Sequence, residues 1–141
     1  MNMNSQYRDY VEGVQRAIQD ECNTSRFYRR LAEQVPGTLC GDIFATASAD
    51  EYRHAQMLAA LLSCPTPYLA EDETLSAAAI CPGDLHKAIS GELDAICEYA
   101  GLAAIAPSAE ARSVLMSILG DEYGHARLFM LLQETGLCCT W

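Results

Sequence analysis

Positive charge is scarce in this chain: nine Lys and Arg stand against nineteen Asp and Glu, a formal net charge of −10. Nucleic-acid binding needs a basic footprint, and so few cations cannot supply one. Aromatic residues are also few, 8% of the sequence. Ala, Leu and Glu are abundant instead, which favours helix over strand. No apolar run approaches the length of a transmembrane helix; the stretch at 55–64 is far too short. The opening segment, Met1 to Asp9, is polar and holds no apolar signal core. The expectation is a soluble, cytoplasmic protein with neither a nucleic-acid nor a membrane partner.

No Cys-x-x-Cys pair occurs either, although there are seven cysteines: Cys22, Cys40, Cys64, Cys81, Cys97, Cys138 and Cys139. That removes zinc ribbons and four-thiolate iron sites. The odd count and the lack of an export signal argue against a disulfide framework. Thiols packed as small apolar residues are expected, with the vicinal Cys138-Cys139 the one candidate for thiol chemistry.

What the chain does hold is a repeat. A gapless shift of 71 residues carries Ala17 to Ala88, Ile18 to Ile89, Glu21 to Glu92, Tyr28 to Tyr99, Leu31 to Leu102 and Pro36 to Pro107. It also carries Asp50-Glu51-Tyr52-Arg53-His54 onto Asp121-Glu122-Tyr123-Gly124-His125. Each copy reads as two helices. The first, from about 6 to 35, turns Val11, Val14, Ile18, Glu21, Ser25, Tyr28, Ala32 and Val35 inward. Pro36-Gly37 breaks it. The second, about 39–62, presents Phe44, Ala47, Glu51, His54, Leu58 and Leu61. The third starts near Asp84, as N-cap, and presents Leu85, Ile89, Glu92, Ile96, Tyr99, Ala103 and Ala106 before Pro107-Ser108. The fourth, about 109–133, presents Leu115, Ile118, Glu122, His125, Phe129 and Leu132. With half its residues hydrophobic, the 1–141 chain can bury a core and reads as one all-α domain.

The acids interrupt apolar stripes rather than lining solvent faces. Residues three apart on a helix share a face, so each Glu-x-x-His can reach one point in space. In the first hairpin Glu21 and Glu51 both lie roughly 21–24 Å from the bend. The second hairpin matches, and all four carboxylates meet mid-bundle. Burying them unpaired would cost several kcal/mol each. Two divalent cations, +4 against −4, would compensate. Carboxylate oxygen with imidazole and no thiolate suits iron, or manganese, better than a structural zinc. The link at about 63–83, rich in Pro, is long enough to travel the bundle's length, which predicts a crossover with the second and third helices parallel. A helical turn is expected at Ala77–Ala79, and Leu137 and Trp141 of the tail are expected to pack. His86, outside the pattern, is expected in solvent.

One Glu from each of two helices and a Glu-x-x-His from each of two others is the ferritin-like di-iron arrangement. On Glu21, Glu51, His54, Glu92, Glu122 and His125 the chain resembles the rubrerythrin and ferritin-like superfamily over nearly its whole length. The resemblance implies a ferritin-like four-helix bundle of two pseudo-symmetric hairpins. It implies Glu51 and Glu122 bridging two metal ions, with Glu21 and His54 completing one and Glu92 and His125 the other. It also implies bracing of His125 by Asp50 and of His54 by Asp121, since a ligating His donates its other N–H to a carboxylate. Tyr28 and Tyr99 are placed to hydrogen-bond the opposite carboxylates, as core aromatics or in a redox role. Tyr52 and Tyr123 are expected in packing or interface contacts. Rubrerythrins typically carry a further Glu three residues after the first on the third helix; here that position is Ala95. They also often carry a rubredoxin module, which this sequence lacks. The implied activity is reduction of peroxide or dioxygen with electrons from an external donor protein. The alternatives are a ferroxidase or iron-handling role, or a metal-binding bundle without catalysis. A homodimer is expected, because short four-helix domains commonly pair.

Overall fold

The structure, a computed structural model, describes residues 2–69 and 79–138. Among these residues there are four helices and no strand: α1 (Met3–Gln34), α2 (Leu39–Leu61), α3 (Pro82–Ala104) and α4 (Ala109–Thr135). Three begin on side-chain caps, Asn2 for α1, Thr38 for α2 and Ser108 for α4, each accepting from a backbone N–H of the first turn. The third begins differently from the expectation. Its N-cap is Cys81 and Pro82 opens the helix, where a missing N–H costs nothing and the fixed φ already suits it. Asp84 is not the cap; it sits in the first turn, facing the positive end of the helix dipole. The α1–α2 turn passes through Gly37 at φ 70°, a left-handed conformation that glycine adopts without steric cost.

Helices α1 and α2 pair along their length, as do α3 and α4; the two hairpins meet through α2 against α4 and α1 against α3. The start of α2, the start of α3 and the end of α4 share one end of the bundle. There the Ile80 N–H donates to the Cys138 carbonyl at 3.2 Å, and Cys138 is joined to Cys40. Helices α2 and α3 are therefore parallel, so α2 ends and α3 begins at opposite ends of the bundle.

Two apolar clusters fill the interior. Tyr10, Val14, Leu58, Leu102, Leu115 and Ile118 pack one half. Tyr28, Phe44, Phe129, Leu31, Leu85 and Leu132 pack the other. Phe44 stacks on Phe129 at 4.7 Å between centroids, and Tyr28 meets Phe129 edge-on at 5.1 Å. Ser25 and Ser48 exchange hydroxyl-to-carbonyl hydrogen bonds of 2.7 Å, which fix α1 against α2 between the clusters. The expected inward residues are buried except Val11, Ala32, Leu61 and Ile96, which are half-buried. Tyr10 and Leu31, one step earlier on α1, take the central places instead.

Two further expectations are overturned. Cys40 and Cys138, 98 residues apart, form a disulfide. Neither is a packed free thiol, and Cys138 does not act as a pair with its neighbour. Only closure of the bundle brings these two cysteines together, so local spacing gave no sign of the bond. Leu137 does not pack: it is 45% exposed, because Gly136 ends α4 with a left-handed turn and directs Cys138 inward. His86 is exposed, as expected. Ala77, Ala78, Cys139 and Trp141 lie outside the described residues, and Ala79 belongs to no helix. Among the described residues, no helix is long and apolar enough to cross a membrane.

Candidate metal centre

Between the apolar clusters lies a polar layer. Glu21, Glu51, Glu92, Glu122, His54 and His125 are all buried, and each helix contributes at least one of them. Their ligand-type atoms form two groups, each within 4.8 Å: Glu21, Glu51, His54 and Glu122; and Glu51, Glu92, Glu122 and His125. Glu51 and Glu122 belong to both groups. The structure thus brings together all six residues singled out as ligands from the sequence, in two quartets that share two carboxylates.

The histidines are held from behind. His54 Nε2 lies 2.9 Å from Asp121 Oδ2, and His125 Nε2 lies 3.0 Å from Asp50 Oδ2. An Nε2–H donated to each carboxylate leaves the Nδ1 lone pair directed into the layer. The tyrosines act similarly on the outer carboxylates. Tyr28 Oη donates to Glu92 Oε1 at 2.5 Å, and Tyr99 Oη donates to Glu21 Oε1. In each case one carboxylate oxygen is engaged and the other is left over.

Six buried atoms have no hydrogen-bond partner: Glu21 Oε2, Glu51 Oε1, Glu92 Oε2, Glu122 Oε1, His54 Nδ1 and His125 Nδ1. That is one atom from each of the six residues. Some approach one another closely, as His54 Nδ1 does Glu122 Oε1 at 2.9 Å and His125 Nδ1 does Glu51 Oε1 at 2.8 Å. With Nε2 carrying the proton, Nδ1 and the carboxylate oxygen are both acceptors, so these approaches do not satisfy either atom. A buried polar atom left unpaired costs about 1–3 kcal/mol, and six converging on one layer call for a cation. The donor set, four carboxylates and two imidazoles, fits a pair of divalent ions of the iron or manganese kind.

The electrostatics show what burial and close approach do to these groups. Burial, then the neighbouring Glu51, pushes Glu21 well above the usual carboxylate range. Burial likewise takes Glu122 up to about 10, with facing His54 only partly offsetting it. Burial acts to raise Glu51 too, but Glu21, His125 and His54 outweigh it and bring it down to about 2. Burial alone would lower the histidines. The facing carboxylates reverse this, driving His54 far up and taking His125 to about 11. Burial, reinforced by Glu92 and Glu21 respectively, lifts Tyr28 and Tyr99 well beyond the ordinary phenol value, so both remain neutral donors.

The rubrerythrin family model matches residues 12–133. The chain belongs to the rubrerythrin family. A crystal structure from Thermotoga maritima, described as a ferritin-like diiron-carboxylate protein, superposes with a TM-score of 0.73 at 22% identity, covering 89% of this chain and 94% of that one. At that identity the likeness establishes a ferritin-like fold. No curated protein matches the chain significantly. In this rubrerythrin-family bundle the polar layer coincides with the matched region, and all six buried ligand-type residues fall inside it.

Two features had not been anticipated. Arg53 reaches Asp50 and Asp121 together, at 3.1 Å each. Its signal lay inside the repeat, where residue 53 is Arg and residue 124 is Gly. A cavity of about 210 Å³ between α2 and α4, lined by Thr46, Ala47, Asp50, His125, Leu128 and Phe129 among others, reaches the back of the His125–Asp50 pair. The larger hollow, about 500 Å³, lies against the first hairpin beside Arg29, Asp42 and Tyr52 and touches none of the six residues. An ion seated between carboxylates needs no such void.

Proposed function

We propose that this chain binds two iron ions, with manganese as the competing occupant, and uses them to reduce peroxide or dioxygen to water. The observation that carries the reading is the set of six unpaired buried atoms, one per residue, converging in two quartets. Glu51 and Glu122, common to both quartets, would serve both ions. Glu21 with His54, and Glu92 with His125, would complete one ion each. The ions would supply the electrons and Lewis acidity that side chains lack.

The chain's own residues do the rest. Asp50 and Asp121 orient the imidazoles, and Tyr28 and Tyr99 hold Glu92 and Glu21 while keeping phenolic protons beside the centre. The two apolar clusters restrict water on either side of it. Electrons come from a donor outside these residues, because the sequence carries no Cys-x-x-Cys for a thiolate iron site. A homodimer is the assembly we propose.

The test is metal analysis and visible spectroscopy of anaerobically purified protein, then rapid mixing of the reduced, iron-loaded form with peroxide or with dioxygen. Two irons per chain and rapid oxidation by one oxidant are expected. Equal inertness to both oxidants would remove the redox assignment, and failure to take up two ions would remove the metal assignment.

A further inference from the structure

We propose that Arg53 is a positioning residue that couples the two halves of the centre, one guanidinium holding both bracing aspartates and, through them, both histidines. The inference rests on the two-metal reading above. Arg53 Nη2 lies 3.1 Å from Asp50 Oδ1 and 3.1 Å from Asp121 Oδ2. The other oxygen of Asp50 pairs with His125, and Asp121 Oδ2 pairs with His54 as well as with the arginine. The chain of contacts His125–Asp50–Arg53–Asp121–His54 is therefore unbroken. It runs along the outside of the layer and joins residues of α2 and α4.

Stability does not explain it. The side chains of Arg53, Asp121 and Asp50 are 55%, 40% and 27% exposed, and ion pairs so open to water add little. What the contact does is restrict rotation. An aspartate gripped by an imidazole and a guanidinium together cannot turn away from the ring it orients, and ring orientation sets where Nδ1 points.

The repeat sharpens the inference. Each ligand-type residue and each bracing aspartate occurs twice at the 71-residue shift, whereas the clamp occurs once, with Gly124 opposite Arg53. Packing does not impose that glycine, since a Cβ at 124 would meet nothing within 4 Å. A second arginine there would set two like charges on the same pair of carboxylates. One cation, reaching both copies, serves both.

The test is titration of the metal-free full chain with cobalt(II), followed by its visible ligand-field bands, with circular dichroism as the fold control. Wild type takes up two cobalt ions. Asp50→Ala weakens one ion and Asp121→Ala the other. Arg53→Ala weakens both together, each by roughly 10-fold, the lower end of what loss of an outer partner costs. Adding Gly124→Arg to Arg53→Ala restores both, because the repeat gives residue 124 the same relation to Asp121 and Asp50 that residue 53 has to Asp50 and Asp121. The proposal is overturned if Arg53→Ala binds both ions as wild type does or loosens only one, or if the relocated arginine restores nothing. Wild type taking up no cobalt pair would overturn the metal reading itself, and that outcome is seen before any variant is made.

Discussion

Replacing Glu122 with leucine separates a layer that needs ions from one that holds itself together. With all four glutamates ionised the layer carries −4, and two protonated imidazoles return +2. A deficit of −2 remains between two apolar clusters, where charge is poorly solvated. Glu122 bears much of it: burial pushes it up to about 10, and its Oε1 is unpaired. Glu122→Leu keeps similar volume and removes the excess acid. Removing one partner of a balanced buried pair destabilises, but this layer has acid in excess. Losing one carboxylate should therefore act like the exchange of whole buried ionic groups for apolar ones, which often stabilises by about 1–4 kcal/mol. At roughly 2–4 °C per kcal/mol for a chain near this size, the metal-free variant should melt some 2–16 °C above metal-free wild type. With manganese(II) or iron(II) present the order should reverse. Wild type gains about 2.7 kcal/mol from each ion at a hundred times its dissociation constant, and the variant lacks a carboxylate common to both quartets. Calorimetry of chelator-treated and metal-loaded samples reads both comparisons. The reasoning fails if the metal-free variant is less stable than metal-free wild type by ~1 kcal/mol or more. His54, 2.9 Å from Glu122 Oε1, would then depend on that carboxylate as a structural partner.

The metal-free protein should lose stability as pH rises from about 7 to 9. His125, taken to about 11, and Glu122, taken to about 10, keep protons in the folded state that the unfolded chain has already released. Each extra proton contributes up to about 1.4 kcal/mol per pH unit, and metal loading, which expels those protons, should flatten the slope; a rising slope in the metal-free melts would contradict this. Replacing Cys40 and Cys138 together with alanine should destabilise by roughly 2–5 kcal/mol, as expected for a cross-link spanning about a hundred residues, and denaturant titration giving under ~1 kcal/mol would contradict it. Tyr28→Phe removes the donor to Glu92 and should weaken chiefly the ion beside His125, whereas Tyr99→Phe should weaken the ion beside His54. Cobalt titrations in which either change loosened both ions equally would count against that division.

Much of the fold was readable because helix geometry makes sequence spacing into direction. Glu51 and His54 had to share a face, the 71-residue repeat had to give two hairpins, and Pro36 and Pro107 had to break them. The grouping of six residues followed from those facts alone. Features that depend on helices meeting were not readable. The Cys40–Cys138 bond requires α2 and α4 to end side by side. Arg53 was hidden for the opposite reason: on α2 it is an exposed cation three residues from an aspartate, an ordinary surface pair until Asp121 arrives from the other hairpin. The start of α3 was misplaced because Asp84 is a good cap and Pro82 a better first residue.

The two ends of the bundle are not equals. One is stitched, by sulfur between Cys40 and Cys138 and by the backbone bond from Ile80. At the opposite end, Tyr10, Leu58, Leu102 and Ala111 keep the hairpins together by side-chain contact, with no covalent fastening among the described residues. Thermal breathing therefore opens this molecule like a hinged case, and amide protons near the free rim should trade with deuterium well before those beside the seam.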